Sequence, residues 1–107
     1  MLCMLTVRRL KPDAEDAFKE AWAPDRWHGR MVHAYHLRSD DDPSQVITLG
    51  FFEGTEEELD AMRDDPAWMA GEERRLQRIA PLEESVLLSG VWNVVEDITP
   101  SRAGAQE

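Results

Sequence analysis

The chain has 107 residues, 42% of them hydrophobic and 32% charged. Those are globular proportions, and the length allows one core rather than two. A formal net charge of -10 repels polyanions, which argues against nucleic acid and anionic membrane surfaces as partners.

Met1 to Leu10 reads as a strand, with Cys3, Leu5 and Val7 on one face and Leu2, Met4, Thr6 and Arg8 on the other. Cys3 is the sole cysteine, so no disulfide forms within the chain and a reducing, cytoplasmic setting is expected. The apolar start is too short for a signal peptide, and Arg8 and Arg9 follow it rather than precede it. No run is long enough for a membrane span. Lys11-Pro12-Asp13 then opens a helix, with Pro in the first turn and Asp13, Glu15 and Asp16 at the positive end of its dipole. Ala14, Ala17, Phe18, Ala21 and Trp22 form its apolar stripe, and Pro24 ends it. A loop with Arg26, Trp27, His28 and Gly29 leads to a second strand, Met31 to Arg38. The turn cluster Ser39 to Ser44 joins it as a hairpin to a third strand, Val46 to Glu53.

Thr55 with Glu58 is a capping-box pair at the start of a second helix. The acidic run Glu53, Glu56, Glu57, Glu58, Asp60, Asp64 and Asp65 reads as its solvated face. Asp65-Pro66 breaks that helix and caps another, on which Trp68, Met69, Leu76 and Ile79 mark the inner side and Glu72 and Arg75 pair on the outside. Pro81 closes it, Val86 to Val95 is a fourth strand, and 99–107 reads as a frayed tail beyond a single domain over 1–98.

The order βαββαβ, with right-handed crossovers and one hairpin, gives an α+β, ferredoxin-like fold: a four-stranded antiparallel sheet with helices on one face. Two helical segments cover only one face, yet both carry large apolar groups. Ile47, Leu49 and Phe51 alternate with Val46 and Phe52, and Leu87 and Val91 alternate with Leu88 and Trp92. An uncovered apolar face marks an interface, so a homodimer through the sheet face is expected.

The first strand ending in Leu10-Lys11-Pro12-Asp13, the Arg38-Ser39-Asp40-Asp41-Asp42-Pro43 turn, Gly50-Phe51-Phe52-Glu53 and Asp64-Asp65-Pro66-Ala67-Trp68 together resemble the antibiotic biosynthesis monooxygenase-like proteins, dimeric α+β barrels. The resemblance runs from about Met1 to Val95. It implies a homodimer, and it implies activities found in that group: oxygenation of aromatic or quinol substrates without a cofactor, or haem degradation. The haem-degrading branch relies on a strand Asn, a helix Trp and, about three helical turns further on, a His. Thr6, Met62 and Glu72 stand at those places, and none supplies the required chemistry. Haem degradation is therefore disfavoured, and no cofactor is expected.

Oxygenation of this kind needs a pocket that holds an electron-rich aromatic, helps remove its proton and stabilises the anion. His36 and Arg8 are the candidate catalytic residues. Thr6, Tyr35, Phe52, Trp68, Trp92 and Asn93 are the candidate substrate-binding residues, with His33 as the alternative to His36. Such a pocket lies either between sheet and dimer mate or between sheet and helices near Trp68. The expected ligand is small and apolar or aromatic. No metal site is expected, because His33 and His36 have opposite parity on their strand. Each aromatic also has an ordinary reading, Trp22 and Trp68 as core and Trp92 as interface. The sequence leaves three functions open: an oxygenase, a binding protein using the same cavity, and an accessory dimer with no ligand.

Overall fold

A computed structural model describes residues 1–100. The chain runs β1 (Leu2–Leu10), α1 (Glu15–Trp22), β2 (Met31–Arg38), β3 (Gln45–Phe52), α2 (Glu56–Asp64), α3 (Pro66–Ile79), a 3-10 turn (Ala80–Leu82) and β4 (Glu83–Asn93). The strands form one antiparallel sheet in the order β2-β3-β1-β4. This is the ferredoxin-like arrangement expected from the sequence. No helix among the described residues is long and apolar enough to cross a membrane. The expected tail over 99–107 lies, beyond Pro100, outside the described residues.

Strand pairing decides which side chains share a face. Leu2, Met4, Thr6 and Arg8 of β1 stand opposite Phe52, Gly50, Thr48 and Val46 of β3. This row faces the helices. One end of it packs Leu2 and Phe52 against Leu59 and Met62 of α2. The other end packs Leu10 and Val46 against Phe18 and Ala21 of α1 and Ile79 of α3. The helix-side core is thus two separate clusters, and the middle of the row, from Met4 to Arg8, lies between them.

Helix ends follow the local chemistry. Thr55 and Glu58 form the reciprocal capping box, and Asp65 caps α3 by accepting from the Ala67 amide with Pro66 in the first turn. α1 begins only at Glu15, because Asp13 takes a left-handed φ of 60° that interrupts the backbone after Pro12. Two arginines of α3 hold the end of α1: Arg75 Nη1 donates to the Trp22 carbonyl and Arg78 Nη2 to the Ala23 carbonyl. These bonds satisfy carbonyls that a helix leaves free and place cations at its negative end.

β4 begins three residues before the expected Val86, and its register against β1 shifts twice. One shift leaves Leu87 without a partner, so Val86 pairs with Arg8 while Leu88 pairs with Val7. Val86 and Leu88, which simple alternation places together, therefore fall on opposite faces. Met69, expected on the inner side of α3, is exposed. Glu72 and Arg75, expected outside, are half-buried and turn toward the sheet.

Candidate functional site

Between the two core clusters, helices and sheet part around a cavity of about 370 Å³. Its floor is the middle of the sheet: Met4, Thr6 and Arg8 of β1, Thr48 and Gly50 of β3, and Ser89 and Val91 of β4. Position 50 carries no side chain, and a Cβ there would stand 2.6 Å from Met31 Cε, so glycine makes room for the Met31 side chain against that part of the floor. The walls are Trp22 from α1, Trp27 and His28 from the following loop, Met62 from α2, and Trp68, Glu72, Arg75 and Leu76 from α3. Trp22 and Trp27 meet edge to face with centroids 5.7 Å apart.

Arg8 is the central polar group of the floor. It is only 5% exposed. Its Nε donates to Glu83 Oε2 at 2.8 Å, its Nη1 donates to Thr48 Oγ1 at 3.1 Å, and its guanidinium lies over the Phe18 ring. Burial pulls its pKa down, partly offset by Glu83, yet an arginine starts so high that it stays charged. Beside it, the Thr6 and Ser89 hydroxyls share a hydrogen bond of 3.0 Å. On the helix side, Arg75 grips Glu72 through two bonds of 2.7 and 3.0 Å and lies over the Trp22 ring. The result is an aromatic slot with hydroxyls and one buried permanent cation at its base.

Of the residues expected at a site, Thr6, Arg8 and Trp68 meet here. The others do not. Tyr35 lies on the helix-free face beside His33 and Phe51, 49% exposed. Trp92 pairs with Cys3 on that same face. Phe52 is fully buried in the cluster under α2, and Asn93 is exposed at the end of β4. His36 lies on the helix face but behind the wall, with ring centroids 4.6 Å from Trp22 and 5.4 Å from Phe18. Burial lowers its pKa, and Lys19 and Arg8 push the same way. It borders a separate, more open depression with Glu15, Lys19 and Arg38. Cys3, half-buried, has its thiol pKa raised by burial and makes a poor nucleophile. Trp27, His28, Arg26, Arg63 and Arg75 are lining residues that the sequence reading missed as site residues. Three of them sit in the loop after α1, where no periodicity reports direction.

Solved structures with the same architecture span nearly the whole chain. A Chloroflexus aurantiacus protein named for the antibiotic biosynthesis monooxygenases matches with a TM-score of 0.68 at 12% identity, covering 92% of this chain and 96% of its own. The Mycobacterium tuberculosis protein Rv0793 matches with a TM-score of 0.62 at 15% identity, covering 92% and 98%. The fold is that of the monooxygenase-like group. The resemblance carried by the strand, turn and Asp-Pro segments thus holds for architecture. A Burkholderia xenovorans protein named for the NIPSNAP domain shares this monooxygenase-like fold as well, with a TM-score of 0.56 at 18% identity and coverage of 94% and 100%. One fold therefore serves differently named families, and activity has to be argued from the site. No family model matches the sequence, and no curated protein is significantly similar to it.

Proposed function

We propose that the chain is a homodimeric small-molecule protein whose cavity takes a planar aromatic or quinol-like ligand, and that its chemistry is cofactor-independent oxygenation of that ligand. One observation carries this: an aromatic-walled cavity of about 370 Å³ with a buried guanidinium in its floor. The volume lies within the range of roughly 300–1,000 Å³ usual for small-molecule sites. The tryptophans offer flat apolar contact. Arg8 stabilises a phenolate or enolate where charge develops, with little water to screen it. Such an anion is electron-rich enough to reduce dioxygen directly. Conversion of a phenol to a quinone then balances as follows. The substrate loses its hydroxyl hydrogen and one ring hydrogen, one oxygen atom becomes the new carbonyl, the other leaves as water after taking up two protons, one of them returned by solvent, and the substrate supplies all four electrons. The phenolic proton leaves to solvent at the open mouth. His36 stands behind Trp22 and Phe18 and is left out of the reacting set.

A second reading, binding without turnover, has its own support. The lining holds no unoccupied base among the described residues: Glu72 is tied to Arg75, and His28 Nδ1 accepts the Arg30 amide.

An oxygen electrode with a panel of polycyclic phenols and quinols tests the proposal. The expected result is one oxygen consumed per quinone formed, lost in Arg8→Met while the variant still melts cooperatively. Ligand-dependent melting shifts without oxygen uptake select the second reading. Neither uptake nor shifts would overturn both.

A further inference from the structure

The chain carries 22 acidic against 12 basic residues, so its arginines are expected to be paired. Nearly all described ones are: Arg8, Arg9, Arg30, Arg38, Arg74, Arg75 and Arg78 each lie within ion-pair distance of a carboxylate. Among the described residues two arginines make no ion pair, Arg26 in the loop after α1 and Arg63 at the end of α2. Arg63 meets only the Met4 sulfur, at 3.7 Å. Both are exposed, and both border the cavity. Its lining therefore holds four arginines and one carboxylate, Glu72, which Arg75 already neutralises.

From this placement we infer that the cavity is selective for an aromatic carboxylate: the ring enters the tryptophan slot and the carboxylate is met at the mouth by Arg26 and Arg63. The inference rests on the cavity being a ligand site, as proposed above. The overall negative charge does not cancel it. At physiological ionic strength the screening length is about 8 Å, so a ligand at the mouth feels the nearby arginines more than acids across the molecule. An uncommitted guanidinium is also the side chain best shaped for a carboxylate, which it grips through two parallel bonds.

Calorimetric titration with hydroxynaphthoate and with naphthol separates ring from charge. The expected preference for hydroxynaphthoate is about tenfold, the worth of one charge-assisted contact. It shrinks as salt is added, because the two arginines are exposed. In the Arg26→Gln/Arg63→Gln double variant the ratio of the two affinities falls toward one, and in the corresponding double Lys variant part of the preference is kept. Equal affinity for both compounds in the native protein overturns the carboxylate inference and leaves the aromatic cavity standing. A preference that survives both added salt and the Gln substitutions overturns the assignment to Arg26 and Arg63. Binding of neither compound removes the inference together with the proposed function.

Discussion

Arg8 sits where a charge is expensive. Taking a guanidinium out of water costs several kcal/mol, and a pair recovers this only when its geometry is good and its remaining hydrogens are met. Glu83 and Thr48 take two of the guanidinium's five N–H donors here, so the pair resists breaking more than it adds to stability. The consequence is an asymmetry. Glu83→Gln leaves the cation buried and is expected to destabilise by about 2 kcal/mol. Arg8→Met removes cation and desolvation cost together, leaves Glu83 free to hydrate, and is expected to cost at most about 1 kcal/mol. Urea unfolding of the two variants checks this, and a larger loss in Arg8→Met contradicts it. A native protein that keeps the costlier arrangement is holding a charge for use, which fits Arg8 at the floor of a ligand site. The parity of β1 made Thr6 and Arg8 legible as neighbours. It did not reveal which face the helices cover, and for that reason Tyr35 and Trp92, equally plausible by composition, turn out to stand on the other side of the sheet.

The helical elements are fixed by short signals, and these were legible. Thr55, Glu58, Asp65 and Pro66 each do in the structure what their spacing announces. The box matters beyond α2 itself, because Leu59 and Met62 on that helix complete the cluster around Phe52. Thr55→Ala removes the oxygen that accepts the Glu58 amide but keeps the backbone amide that donates to the Glu58 carboxylate, so half of the box is lost. It is expected to lower stability by about 1 kcal/mol. A change below a few tenths of a kcal/mol in urea unfolding would show that water caps this helix equally well. The strands were legible in number and order but not in detail. The start of β4, Glu83-Glu84-Ser85, is polar, and pairing with β1 rather than apolarity makes it strand. The unpartnered Leu87 re-aims its neighbours, and no alternation rule contains a bulge. The cavity escaped the sequence reading in part for a related reason: Arg75 reads as a surface residue in a helical repeat, whereas it turns inward to cap α1 through the Trp22 carbonyl.

The whole molecule is lopsided. Helices cover one face of the sheet, and the other presents Tyr35, Leu37, Leu88 and Trp92 at 49, 44, 52 and 43% exposure, around the partly buried Leu5, Leu49 and Phe51. Fully burying such a side chain is worth roughly 1.5–3 kcal/mol, so half-exposed ones gain about 1 kcal/mol each by the same measure. Association costs at least about 4 kcal/mol. One or two contacts do not meet that cost, whereas the face taken as a unit does, and a second copy placed about a two-fold axis covers it with itself. The proposed homodimer therefore predicts a two-chain particle in sedimentation at micromolar concentration and a single-chain particle for Leu88→Glu. The cavity lies on the opposite face of the sheet, walled by α1, α2 and α3. Leu88→Glu should accordingly still bind naphthol, with weakening confined to whatever support β4 loses when its outer face is wet. If the native protein sediments as a single chain, the dimer proposal fails while the cavity argument stands. If Leu88→Glu becomes monomeric and loses the ligand altogether, the site requires both copies and the one-chain cavity described here is incomplete.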